Sequence, residues 1–302
     1  MSSTEASFVV VICHGSYHTP KPYQPFLAAL EAQGMEAYCP QLPSSDLSKM
    51  NIGDTSNPDY DRDPPPNGYP QPTDDVETLN ELLSQLVLES GKEVLLVGHS
   101  SGAFTATMAA VPELQAKTRR TKRAPGGIIG IFNYAGFLIP VGDSVRSFFQ
   151  PKDGSEHITP PYCQFHPPAN ASINTQKYGF NGLASTKDGA KYFFNGLDEA
   201  AAKHYEATLT ASPNLTTVLH NDAYTALPCA YLVTEDDLAL PPAYQDMMVA
   251  MQSQRPGVRM TVSRCPAGHS PHLTWTEGLV GKVREFGEQV VGGDGGGVGV
   301  GV

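Results

Sequence analysis

Six short runs of aliphatic and β-branched residues recur along the chain with longer helical patterns between them, and this alternation restricts the fold more than any other feature. The runs are Phe8 to Cys13, Glu36 to Pro40, Glu93 to Gly98, Gly127 to Ala135, Cys229 to Thr234 and Arg259 to Cys265. Strands that alternate with helices pair in one mainly parallel sheet, because each helix carries the chain back to the edge where the next strand begins. The helical patterns cover Pro25 to Gln33, closed by Gly34, and Thr73 to Ser90, which opens on Thr73-Asp74-Asp75 and closes at Gly91. Others follow at Ala103 to Ala110, Pro241 to Gln254 and His272 to Val290. A chain of 302 residues is long enough to bury both faces of such a sheet, and it shows no internal repeat.

Two regions interrupt the rhythm. Ser44 to Pro72 is a loop rich in Pro, Asp and Asn, longer than most connections inside a domain. Its acids Asp59, Asp61 and Asp63 lack the glycine and terminal glutamate of a calcium loop, so it reads as a solvated loop. Leu138 to Asp222 is too long for one crossover and has a helical piece of its own, Asp198 to Leu209. It holds Phe148, Phe149, Tyr162, Phe165, Phe180, Tyr192, Phe193 and Phe194 without strand spacing, which fits a cap over a pocket better than a satellite core. The expected organisation is therefore a core over 1–137 and 223–291, an inserted cap over 138–222, and a disordered Gly/Val tail over 292–302.

A formal net charge of -11 argues against nucleic acid and anionic membrane surfaces as partners, since both would be repelled. Cys13, Cys39, Cys163, Cys229 and Cys265 are odd in number and lack metal-ligand spacing, so they read as buried thiols in a reducing, cytoplasmic setting. The opening segment has no basic stretch, and the run from Phe8 is too short for a signal core or a membrane span. The sequons at Asn170-Ala171-Ser172 and Asn214-Leu215-Thr216 would then go unused.

Candidate chemistry starts at Gly98-His99-Ser100-Ser101-Gly102, a G-x-S-x-G sequence between the run Val94 to Val97 and a helix of small residues. A sharp strand-to-helix turn holds a serine hydroxyl clear of the backbone, and flanking glycines leave room for it. Such a nucleophile needs a base, and the base an orienting acid, in the chain order Ser, acid, His. Just past the fifth run come Glu235, Asp236 and Asp237, of which Asp237 is favoured, then Asp236, then Glu235; past the sixth comes His269 as the base. The segment His14-Gly15-Ser16-Tyr17 follows the first run, so the main-chain amides of Ser16 and Ser101 would bind the oxyanion. Tyr17 and His18 are candidate substrate contacts. His99 would pack beside the turn, His272 would start the last helix, and Trp275 would be core. His157, His166, His204 and His220 would lie on polar surface or at the pocket edge. No set of residues has metal-ligand spacing, and the serine route needs no cofactor.

These segments resemble the α/β-hydrolase superfamily, within it the plant methylesterase and salicylate-binding esterase group, and still more the hydrolases that filamentous fungi often encode beside secondary-metabolite genes. The matching residues are His14-Gly15-Ser16, Gly98 to Gly102, Asp237-Leu238-Ala239-Leu240-Pro241 and Gly268-His269-Ser270-Pro271. The resemblance implies an α/β-hydrolase fold, with helices flanking a mainly parallel sheet and a cap inserted, and it favours Asp237 through a D-x-x-(I/L)-P stretch. Related hydroxynitrile lyases carry Thr where this chain has Gly15 and Lys where it has Ser270, and epoxide hydrolases use Asp where it has Ser100. The expected activity is hydrolysis of an ester, thioester or lactone of a medium-sized apolar or aromatic acid by a monomer or homodimer. Carbon–carbon bond cleavage or cyclisation is the first alternative, and a non-catalytic small-molecule receptor the second.

Overall fold

The structure is a computed structural model that describes residues 6–167 and 182–292. The sequon at Asn170, the aromatic Phe180 and the tail from 293 to 302 lie outside the described residues. All six runs form strands of one sheet: β1 (Phe8–Cys13), β2 (Ala37–Tyr38), β3 (Glu93–His99), β4 (Gly127–Tyr134), β8 (Cys229–Thr234) and β9 (Met260–Cys265). The order is β2-β1-β3-β4-β8-β9, and every pairing is parallel.

Alternation along each strand builds a core on both faces of this sheet. Val9, Val11 and Cys13 of β1 pack with Leu96 and Ile131 beneath helix α2 (Pro72–Leu83) and helix α3 (Gly102–Ala109). Phe8, Val10 and Ile12 face the other way, toward Phe26 and Leu30 of helix α1 (Gln24–Ala32) and Val283 of the helix Thr276–Gly292. Each such side chain removed from water contributes roughly 1.5–3 kcal/mol, which is why strands covered on both faces read as unbroken apolar runs. The strand β9 differs: Thr261 and Val262 are exposed because it forms the edge of the sheet. Gly34 follows helix α1 at φ 77, the left-handed conformation its position as a cap requires. The pattern expected over Thr73 to Ser90 divides into α2 and a π-helical turn over Ser84–Glu89. The last pattern divides at Trp275, between Pro271–Thr274 and Thr276–Gly292, and Trp275 packs against the core as expected.

Sheet order and register bring the candidate segments together. The chain leaves β1 for β2 on one side and returns to β3 on the other, so a crevice forms beyond the C-terminal ends of β1 and β3. Cys13 is level with Gly98, His99 with Tyr134, and Thr234 with Cys265, so the loops after these strands start at one height.

Three expectations need correction. The long insertion contains strands as well as helix: β5 (Cys163–His166), β6 (Leu183–Thr186) and β7 (Ser212–Pro213) form a separate antiparallel sheet. Strands of two to four residues are too short to display a period of two, so the spacing of Phe165 carried no signal. The loop from Ser44 is also not simply solvated. Its acids Asp54, Asp59, Asp61 and Asp63 are exposed, but Met50 and Ile52 are buried against Leu183 and Ala211 of the insertion. His166, expected on polar surface or at the pocket edge, is buried, with Nε2 2.6 Å from Ser185 Oγ and Nδ1 3.2 Å from Asp61 Oδ1. Among the described residues no group of His, Cys, Asp and Glu could hold a metal ion, and no helix is long and apolar enough to cross a membrane.

Candidate active site

Ser100 occupies the turn between β3 and α3 at φ 53, a left-handed conformation that costs a non-glycine residue about 1–3 kcal/mol. Close packing over-determines it. A Cβ at Gly102 would overlap the carbonyls of Cys13 and His14, and one at Gly15 would lie 2.8 Å from Ser100 Cβ. The glycines thus serve approach more than backbone freedom. The serine itself is 7% exposed.

Of the three acids after β8, Glu235 and Asp236 are exposed, whereas Asp237 is 3% exposed and faces His269. Five donors converge on its carboxyl group. Oδ1 accepts the main-chain N–H groups of Ala239 and Leu240 at 2.9 and 2.7 Å. Oδ2 accepts from Thr234 Oγ1 at 2.9 Å, Gln245 Nε2 at 3.2 Å and His269 Nδ1 at 2.9 Å. Donors alone surround the group, an arrangement that suits a carboxylate and holds the hydrogen of His269 on Nδ1. The lone pair is then on Nε2, which is buried and has no hydrogen-bond partner among the described residues. No hydrogen bond joins Nε2 to Ser100 Oγ in this structure. That contact is commonly long or misaligned in unliganded sites.

His99 does more than pack beside the turn. Its Nε2 lies 2.9 Å from the carbonyl oxygen of His269, which can only accept, so Nε2 carries the hydrogen and Nδ1 accepts from the Tyr23 hydroxyl at 2.5 Å. Tyr23 Oη in turn accepts the N–H of Gly15 at 3.3 Å. One hydrogen-bonded chain therefore ties the loop after β1, the turn holding Ser100 and the loop holding His269. Burial keeps its members neutral: His99 is pushed well below the usual imidazole range and Tyr23 well above the usual phenol range. His18 is pushed down to about 3 and His14 to about 4, both chiefly by burial. His272, which stacks on Tyr23 at 4.3 Å, is likewise held well below its ordinary value by burial.

The expected oxyanion donors meet, with a difference. The N–H of Ser16 does not point at an open position: it donates to Ser101 Oγ at 2.6 Å, and Ser16 Oγ donates to the same atom at 2.8 Å. The pair Tyr17 and His18 lies under the insertion, where Phe193 meets their rings at 6.0 and 5.7 Å and the ring of His269 at 5.4 Å. Asn195 also reaches the core, donating from Nδ2 to the carbonyl of Asp236 at 2.8 Å and sitting where a Cβ on Gly268 would fall.

Sequence reasoning missed Thr234, Gln245 and Tyr23. Gln245 left a trace: it shares the buried face of the helix Pro242–Ser253 with Met248 and Val249, a core position for an amide. Tyr23 left none, since an aromatic ten residues after β1 looks like any other core residue.

The chain can now be set beside known proteins. It is 24% identical over 282 residues to the alpha/beta hydrolase nvfD of Aspergillus novofumigatus, covering 91% of this chain and 94% of that protein. A pyrethroid hydrolase from Sphingobium faniae superposes with a TM-score of 0.65 at 17% identity, over 93% of this chain and 97% of its own. Polyneuridine aldehyde esterase gives 0.64 at 15% identity over 93% and 99%, and a methylesterase from Arabidopsis 0.58 at 17% over 92% and 98%. At these identities the solved structures establish the fold. The sequence profile of the "Alpha/beta hydrolase family" matches residues 10–281, and with the sheet, the turn at Ser100 and the loops around it in place, the chain belongs to that family.

Proposed function

We propose that the protein is a serine hydrolase that cleaves an ester, thioester or lactone of a medium-sized, apolar or aromatic acid. The observation that carries this reading is the His269–Asp237 pair, buried and locked with the lone pair on Nε2, at the strand end beside the strained turn of Ser100. Family membership supports hydrolysis, and the neighbours named as an esterase and a methylesterase support an ester as the bond cleaved.

In this reading His269 Nε2 takes the proton of Ser100 Oγ as that oxygen bonds to the acyl carbon. The carbonyl electron pair moves onto oxygen, and the tetrahedral intermediate forms. Collapse breaks the bond to the leaving group, which departs with the proton from Nε2. Water then repeats the sequence on the acyl-enzyme. Asp237 holds the imidazole tautomer and stabilises the imidazolium while it exists. The insertion over 138–222 serves as the cap, with Phe193 beside His269 and His18 as apolar wall for the acyl group.

A fluorophosphonate probe and a series of aryl esters test the reading. Wild type should be labelled and turn over the esters, and Ser100→Ala should do neither. Equal labelling of the two proteins would refute the nucleophile. Turnover of 1,3-diketones without aryl ester hydrolysis would reassign the reaction to carbon–carbon cleavage.

A further inference from the structure

The Ser101 hydroxyl is met by two groups of one residue, Ser16. A serine hydroxyl offers two acceptor positions and one hydrogen. The N–H of Ser16 fills one acceptor position of Ser101 Oγ at 2.6 Å, and Ser16 Oγ, 2.8 Å away and with no other acceptor among the described residues, can fill the second with its own hydrogen. With Ser16 as the donor of that second bond, the hydrogen of Ser101 is left for another acceptor, and none among the described residues takes it. Ser101 is 6% exposed and immediately follows Ser100, onto which the loop of Gly15 is closely packed.

We propose that the Ser101 O–H is itself an oxyanion donor, acting beside the Ser101 main-chain N–H, and that Ser16 acts at one remove by polarising it. The proposal rests on the serine-hydrolase reading and deepens it. For the Ser16 amide to meet the oxyanion directly, Ser101 would have to rotate away and leave both bonds from Ser16 unmade. Kept in place, the two incoming donors draw electron density from Ser101 Oγ and strengthen the bond it donates. As Ser100 Oγ bonds to the acyl carbon and its proton passes to His269, the carbonyl pair localises on oxygen, which accepts the Ser101 hydrogen. The pair returns when the leaving group departs, and no proton is transferred to or from Ser101.

The test is steady-state hydrolysis of a p-nitrophenyl ester, with affinity for an aryl trifluoromethyl ketone whose adduct on Ser100 carries an oxyanion. Ser101→Ala should lower kcat on the order of 100-fold with KM within about twofold, and weaken the ketone by a similar factor. Ser101→Cys, a weak donor that keeps a side chain in place, should lose activity on the same order. Ser16→Ala should lose several-fold, and the double variant Ser16→Ala/Ser101→Ala should be no slower than Ser101→Ala alone. Undiminished activity in Ser101→Ala would overturn the proposal, because the hydroxyl would then merely block the Ser16 amide. Multiplying losses in the double variant would overturn it too. A wild type that neither hydrolyses esters nor takes up fluorophosphonate would refute the serine-hydrolase reading, and this inference with it.

Discussion

Replacing Asp237 by Asn changes one atom and leaves the shape of the site intact, so its effect isolates the tautomer of His269. The new amide nitrogen has two places to go. On the Oδ1 side it would face the N–H groups of Ala239 and Leu240, fixed main-chain donors that cannot turn round. Leaving both unpaired costs about 1–3 kcal/mol each. On the Oδ2 side it meets Thr234, whose hydroxyl can rotate to accept, and Gln245, whose amide has other acceptors in Thr234 and Leu240. There only His269 has to yield, by moving its hydrogen from Nδ1 to Nε2. The amide therefore settles on the Oδ2 side, and Nε2 loses the lone pair that would take the proton of Ser100. Loss of the correct tautomer in a serine triad lowers kcat about 10⁴-fold, or about 5.4 kcal/mol at the transition state. KM should stay within about threefold and thermal stability close to wild type. Asp236→Asn and Glu235→Gln, both at exposed positions, should keep activity within about twofold. More than a tenth of wild-type kcat in Asp237→Asn, or an equal loss in Asp236→Asn, would refute the argument.

Acid should unfold this protein steeply. His14, His18, His99 and His272 have folded pKa values depressed by burial, so below about 6.5 the unfolded chain binds protons that the native state does not, and stability present above that pH is lost as pH falls. Each imidazole contributes about 1.4 kcal/mol per pH unit; Asp75, raised to about 6 by burial, offsets about one of them, because there the native state holds the extra proton. Urea midpoints at pH 7 and pH 5.5 check this, and equal midpoints would contradict it. Gly102→Ala should destabilise the fold by several kcal/mol in a denaturant titration, since its methyl group overlaps the Cys13 and His14 carbonyls at the end of β1. Phe193→Ala empties a position only 3% exposed and should cost roughly 3–5 kcal/mol, with KM rising more than kcat falls for bulky aryl esters. Cys13, Cys229 and Cys265 should resist thiol reagents until the protein unfolds, because burial raises the pKa of Cys229 and Cys265 to about 12 and Cys13 still further, whereas Cys39, expected to be buried, is only half-buried.

The legible parts of this molecule are those where one local rule governs one local element. Val9 to Ile12 and Val94 to Val97 announce strands because both faces of the sheet exclude water there, and Gly98 to Gly102 announces a turn because a close approach leaves no room for a Cβ. The position of Asp237 and His269 just beyond β8 and β9 was readable for the same reason. Tertiary contacts of ordinary residues were not. Tyr23 is an unremarkable aromatic until it meets His99 Nδ1, and Ser101 is a variable letter of the motif until Ser16 donates to it twice. The short strands β5 to β7 owe their existence to pairing with one another and to Met50 and Ile52 from a distant loop, which no window of sequence contains.

The chain from Gly15 through Tyr23 and His99 to the carbonyl of His269 has a consequence for how such a protein can diversify. Every hydrogen along it has a single allowed direction, so a shift in any one of three loops is felt by the other two. The reacting end of the molecule therefore behaves as one inflexible part that admits few alternatives. The insertion reaches that part at a few points, through Phe193, Asn195 and the main-chain bond from Thr210 to Tyr17, and away from them it can be reshaped without disturbing it. New substrates should therefore arise through exchanges in 138–222, on a reaction centre passed along unchanged.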